Sequence, residues 1–122
     1  MQKTAAAVHD FSGFGKCSLT VILPVLSAAG IAASAVPTAV LSSHTGGLPG
    51  VFHEDFTHGV RAFARQWSDL SLSFDAIYTG YMSSPGQIDA CGELVRVLRR
   101  PGTIFLADPA LGDNGRLYSG IS

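Results

Sequence analysis

Two aspartates, Asp108 and Asp113, stand either side of Pro109-Ala110-Leu111-Gly112. Two carboxylates on one loop can order a hydrated divalent cation bound to nucleotide phosphates. The same residues have a plainer reading, since Asp-Pro often opens a loop and Asp113-Asn114-Gly115 is a strong turn signal. A second cluster, Ser42-Ser43-His44-Thr45-Gly46-Gly47, gathers hydroxyls, an imidazole and paired glycines. Such an uncharged set of donors and acceptors suits a small heteroaromatic ring, although it also makes an ordinary polar loop. In Asp10-Phe11-Ser12-Gly13-Phe14-Gly15-Lys16 the glycines permit close backbone approach, and amides at a following helix start favour an anion or polar group. Its spacing matches neither the dinucleotide fingerprint nor the Walker phosphate loop. Thr79-Gly80-Tyr81 adds an aromatic that could cover a ring, or serve as a core tyrosine with a satisfied hydroxyl.

A metal reading of His53-Glu54-Asp55-Phe56-Thr57-His58 fails on geometry. Histidines five apart point about 140° from each other on a regular helix and cannot share one ion there. Asp55 is expected to cap a helix instead. Cys17 and Cys91 have no paired metal spacing and are too few for a disulfide scaffold, so reduced, buried thiols are expected.

Each cluster follows a short apolar, strand-like run: Thr4–Val8, Ala35–Leu41, Phe74–Tyr78 and Thr103–Ala107. Between them lie three helical segments. Cys17 to Ala29 ends at Gly30, a helix C-terminal glycine, and Pro24 within it implies a kink or a late start. About Phe56 to Ser68, Phe56, Val60, Phe63, Ala64 and Trp67 mark a buried face at spacings of three and four. About Ser84 to Arg100, Ser84-Pro85 opens a helix whose stripe is Ile88, Cys91, Leu94, Val95 and Leu98, and Arg96, Arg99 and Arg100 suit its negative end. The order β-α-β-α-β-α-β predicts an α/β fold with parallel strands. The carboxyl ends of those strands lie along one edge, where ligands bind, so the four clusters nominate one site. The longest irregular stretch is Ser42 to Asp55, a length that is often functional.

Composition bounds the alternatives. The 122 residues suffice for one domain, and 47% hydrophobic content can build a core. With 14% charged residues and a net charge of −1, no basic field exists for a nucleic acid or an anionic membrane. Lys16 to Glu54 encloses no charged side chain, but Pro24, Gly30 and Pro37 interrupt it, so a buried helix and parallel strand explain it better than a membrane span. The N-terminus lacks the apolar region and cleavage site of a signal peptide, and a cytoplasmic location is expected.

Read together and in order, four segments resemble the N-terminal portion of the pyridoxal/pyridoxamine kinases, in the vitamin kinase branch of the ribokinase-like superfamily. They are His9 to Thr20, Pro37 to Gly47, Phe74 to Tyr81 and Asp108 to Tyr118. The resemblance implies a three-layer α/β/α sandwich with a mainly parallel sheet, of which residues 1–122 would be the N-terminal part of a single domain, ending after about four strands. It implies transfer of the ATP γ-phosphoryl to the 5′-hydroxymethyl group of a B6 vitamer, with Mg2+, possible help from a monovalent cation, and a homodimer when complete. It places the ring against His44 and Thr45 with Tyr81 nearby, and puts Asp108 and Asp113 on the nucleotide and cation side, Asp113 towards the metal. The first loop departs from kinases with a serine contact to the ring and more closely resembles that of hydroxymethylpyrimidine kinases. Asp10 is the candidate for that contact, and hydroxymethylpyrimidine is the alternative substrate. Relatives carry a later Gly-Thr-Gly-Asp segment that supplies the catalytic base and anion hole. That segment is absent here, so the base is expected beyond Ser122 and not among these residues, and the chain reads as a truncated kinase. A stand-alone, non-catalytic α/β protein that binds a small ring compound through the same crevice is the reading from another class.

Overall fold

The computed structural model describes residues 1–117, apart from the side chain of Asp113. Tyr118, which closes the last segment of the resemblance, and Ser122, beyond which the catalytic base is expected, both lie outside the described residues. The elements are β1 (Thr4–Phe14), β2 (Cys17–Ser18), α1 (Leu19–Ala28), β3 (Ala32–Ser43), β4 (His53–Asp55), α2 (Thr57–Asp69), β5 (Ala76–Thr79), α3 (Pro85–Leu98), β6 (Ile104–Ala107), β7 (Gly112–Asp113) and β8 (Arg116–Leu117). The main sheet has the order β4-β3-β1-β5-β6, with β2 beside β1. Strands β1, β3, β5 and β6 are mutually parallel, and only β2 and β4 join antiparallel. This is the predicted α/β fold with a mainly parallel sheet.

Side-chain alternation along β1 divides the core between two faces. Ala6 and Val8 join Val36, Ile77, Val60, Ala64, Leu94 and Leu98 in one cluster under α2 and α3. Ala5 and Ala7, on the opposite face, are buried where α1 packs across β1 and β3. Small residues at these positions let helix and strand approach closely, and the fully buried Leu94, Leu98, Ile77 and Val60 each contribute about 1.5–3 kcal/mol. Helix α3 begins as predicted, with the Ser84 hydroxyl accepting from the Gln87 N–H at 3.1 Å and proline at the first helical position. Gly30 follows α1 with φ +79, the conformation expected of a residue just past a helix end. Asn114 and Gly115 both have positive φ and turn β7 into β8, as their sequence signals.

Several expectations need correction. Strand β1 does not stop at Val8 but runs on to Phe14, so Asp10 to Phe14 are strand residues and not a loop. An irregularity between His9 and Phe11 shifts the register against β3, and antiparallel pairing of Phe11 and Ser12 with β2 extends the strand. The first helix takes the late start, at Leu19 and not Cys17, because Cys17 and Ser18 form β2. Residues 42–55 are not wholly irregular: His53 to Asp55 pair with β3 as β4. In α3, Ile88 is 58% exposed and Gln87 takes the buried position expected for it. Phe74 is buried but precedes β5. Cys91 is buried, and that burial pushes its thiol up to about 11, whereas Cys17 is only partly buried. Strand β6 closes the sheet on one side among the described residues, with Ile104, Phe105 and Leu106 exposed.

Candidate functional site

The chain leaves β1 for β3 on one side and returns through α2 to β5 on the other. The ends of the flanking strands therefore diverge around the carboxyl end of β1, the place where doubly wound sheets bind ligands. A cleft of about 370 Å³ opens there. His9 of β1 and Tyr78 of β5 form its floor, Gly80 and Tyr81 follow from β5, and Asp108 and Ala110 enter after β6. Lys16, Cys17 and Ser18, with Val21 and Ile22 of α1, form the opposite wall. The volume suits one small ring compound. A similar hollow beside Arg96, Arg99 and Arg100 lies at the amino end of β6, away from this edge.

Of the predicted site residues, Tyr81 and Asp108 line the cleft. The main-chain N–H of Asp108 donates to the Thr79 carbonyl at 2.9 Å, which fixes where its exposed carboxylate begins. Asp10 is not on the cleft surface. It is 8% exposed, and its carboxylate accepts from the Ser12 hydroxyl at 2.8 Å and the Ser18 hydroxyl at 2.7 Å. The second of these bonds holds Ser18, a non-glycine residue with φ +53, in place between β2 and α1. Asp10 thereby shapes the wall that Cys17 and Ser18 present.

His44 is half-buried, and the structure joins its loop to the first cluster. Its N–H donates to the Phe14 carbonyl at 3.0 Å, and its Nδ1 accepts from the Gly46 N–H at 3.1 Å. Gly15 has φ +89, and a methyl group there would strike the imidazole, so glycine is required for the approach. Thr45 is exposed on the same loop and does not line the cleft. Asp113 falls in β7, and its side chain is outside the described residues. His53 lies on β4 and His58 on α2, so the pair does not share one helix. Asp55 is not the N-cap of α2, a position Phe56 takes with no side-chain cap bond; it ends β4 one residue earlier, and its carboxylate accepts from the Thr57 N–H at 2.9 Å. Burial pushes its carboxyl up, but the Thr57 and Ser83 hydrogen bonds outweigh that and hold it below the usual range.

Sequence reasoning passed over His9, Tyr78 and Lys16 as site residues. His9 is 4% exposed, and its ring meets the Tyr78 ring edge-on with centroids 4.4 Å apart. A lone imidazole ending the run Ala5–Val8 was the available signal. Burial lowers the His9 pKa from its ordinary 6.5, against the opposing pull of the Asp10 and Asp108 carboxylates and the Tyr78 main chain. The unfolded chain therefore binds the proton more readily. Any stability that the neutral His9 confers is fully present above about pH 6.5 and is lost as pH falls from there towards the folded-state value. Unfolding of the full-length protein measured between pH 7 and 5 should show a shallower loss for His9→Gln than for the wild type; equal slopes would remove His9 as a source of acid sensitivity.

No protein-family model matches the chain. A candidate pyridoxal kinase of Schizosaccharomyces pombe is 32% identical over 94 residues, which cover 69% of this chain and 28% of that protein. Among solved structures, a candidate phosphomethylpyrimidine kinase of Bacteroides thetaiotaomicron, crystallised with pyridoxal, is 46% identical with a TM-score of 0.94, over 100% of this chain and 42% of that one. The chain belongs to the pyridoxal kinase family. A Lactobacillus plantarum pyridoxal kinase extends the match, at 30% identity and a TM-score of 0.88 over 98% of this chain and 42% of its own. The chain thus spans less than half the length of these relatives. Agreement across nearly all of it makes the fold that of the N-terminal portion of a pyridoxal kinase, ribokinase-like in architecture.

Proposed function

We propose that the protein is a vitamin kinase that transfers the ATP γ-phosphoryl group to the 5′-hydroxymethyl group of a B6 vitamer. The observation that carries this reading is the 46% identity to a relative crystallised with pyridoxal, across the whole of this chain. The cleft supports it through its size and its position at the carboxyl ends of the parallel strands. In this reading the ring lies against Tyr81 in the cleft, with His44 and Thr45 closing from the adjoining loop and Asp10 acting from beneath Ser18. Asp108 and Asp113 are assigned to the nucleotide side. Mg2+ takes one or two carboxylates together with substrate phosphates, and this donor set is of the right kind, with Asp113 towards the metal. A bound Mg2+ would neutralise charge on the phosphates. A monovalent cation, a homodimer and a cytoplasmic location belong to the same proposal. Among the described residues no helix is long and apolar enough to cross a membrane.

The Gly-Thr-Gly-Asp segment that carries the base in the family does not occur between Met1 and Ser122, so the base is proposed to come from outside these residues. Hydroxymethylpyrimidine is the second substrate reading. The name of the Bacteroides relative and the aspartate at position 10 favour it. The deciding experiment incubates the full-length protein with ATP and Mg2+ and, separately, pyridoxal, pyridoxine, pyridoxamine and hydroxymethylpyrimidine. A B6 5′-phosphate as main product supports the first reading. Preferential turnover of the pyrimidine supports the second, and a protein that binds a ring compound without turnover supports the non-catalytic one.

Thr45 provides a narrower test. Thr45→Val removes a hydroxyl while keeping the shape, and loss of a ring contact should cost about 1–3 kcal/mol, read as a raised KM. An unchanged KM for both pyridoxal and hydroxymethylpyrimidine removes Thr45 from the site.

A further inference from the structure

The least expected group in the cleft is the imidazole of His9. It is 4% exposed, and among the described residues its Nε2 has no hydrogen-bond partner. Buried polar atoms are almost always paired, so an orphan nitrogen needs an explanation. Pure packing does not supply one, because an apolar ring could fill the same space at no polar cost. The surroundings nevertheless conform to this side chain: Tyr78 presents its ring edge-on, and the absence of a side chain at Gly80 makes room for the Nδ1 edge. His9 lines the cleft, and its Nε2 is itself closed to solvent, so a substrate donor reaches it once the imidazole tips towards the cleft.

We propose that His9 determines specificity in the ring site, its Nε2 accepting a hydrogen bond from a hydroxyl of the bound substrate, directly or through one water. The proposal rests on the ring-binding reading given above. A neutral imidazole has one N–H and one acceptor nitrogen. With the proton on Nδ1, Nε2 is the acceptor, and Nε2 is the ring nitrogen without a hydrogen-bond partner among the described residues. Burial favours that neutral form. An acceptor in this place selects a ligand that brings a donor, and B6 vitamers carry two hydroxyl donors in common, at the ring 3-position and on the 5′-carbon.

The test is equilibrium binding by calorimetry, without ATP, to the full-length wild type, His9→Phe and His9→Gln. The ligands are pyridoxine and its 3-deoxy and 5-deoxy analogues. Pyridoxine should bind His9→Phe at least about tenfold more weakly, a difference of about 1.4 kcal/mol, with most of the loss recovered in His9→Gln. The analogue lacking the hydroxyl that His9 holds should bind wild type and His9→Phe alike, and the other analogue should keep the tenfold difference. Pyridoxine affinities within twofold of each other overturn the proposal while leaving the ring site standing. Should His9→Phe fail to fold, the nitrogen resonance of the wild-type His9 Nε2 decides: a shift on pyridoxine addition supports the contact, and an unmoved signal overturns it. A wild type that binds neither a B6 vitamer nor hydroxymethylpyrimidine overturns the ring-binding reading, and this proposal with it.

Discussion

Gln87→Leu is expected to lower the unfolding free energy by about 2–3 kcal/mol, although leucine nearly matches glutamine in volume. Gln87 is 1% exposed at the start of α3 and ties together four elements of the sheet's helical face. Its amide nitrogen donates to the Thr38 carbonyl of β3 at 2.8 Å, and lies 3.2 Å from the Thr57 hydroxyl of α2 and 3.3 Å from the Asp55 carboxylate of β4. Two protons serve these three acceptors, so one bond is shared. Its amide oxygen accepts from the Ser83 N–H at 2.9 Å and from the Ser83 hydroxyl at 3.2 Å. Leucine would strand the Ser83 N–H and set methyl groups against a carboxylate. The Thr38 carbonyl keeps a second bond, from the Phe56 N–H, which limits the loss there. Urea unfolding followed by circular dichroism measures the effect. A change within about 0.5 kcal/mol, the range of ordinary surface substitutions, would make the network ornamental.

Gly80→Val should damage the site more than the fold, raising the substrate KM at least about tenfold, or about 1.4 kcal/mol, at a stability cost of about 1–3 kcal/mol. A side chain at this position would strike His9 Nδ1 and come within 2.6 Å of Cε1. The imidazole cannot yield easily, because Tyr78 packs against it and the Gly80 N–H is bound to the Val8 carbonyl at 3.2 Å. His9 and Tyr78 would have to move into the cleft. Gly92→Ala is the control. It lies within α3, a β-carbon there meets nothing within 4 Å, and replacing a mid-helix glycine should stabilise by roughly 0.5–1 kcal/mol with no effect on KM. Gly80→Val kinetics that match those of Gly92→Ala would contradict the site assignment.

What the sequence made legible follows the range of the interactions involved. Local signals held up: Ser84-Pro85 opened α3, Gly30 followed α1, Asn114-Gly115 made a hairpin, and four apolar runs became parallel strands. The failures lie where distant residues decide. Asp10 and Ser12 look like loop residues because each brings a polar group, yet they satisfy one another and Ser18, which lets a polar stretch remain inside a buried strand. Gln87 took the place of Ile88 at the core because its partners sit on β3, β4 and α2, up to 49 residues away. The candidate site divides in the same manner. Tyr81 and Asp108 stand at strand ends and were recognisable from that position, whereas His9 and Lys16 enter the cleft only because α1 and the β1–β2 turn close over β1.

A crystal structure of the full-length protein with pyridoxal will show whether the cleft at the carboxyl ends of β1, β5 and β6 receives a vitamin ring. Ring density is expected between α1 and the strand ends, against Tyr81 and above His9 and Tyr78, with the 5′-hydroxymethyl group towards Asp108. A ring bound anywhere else on the protein, with this cleft filled only by solvent, would contradict that placement.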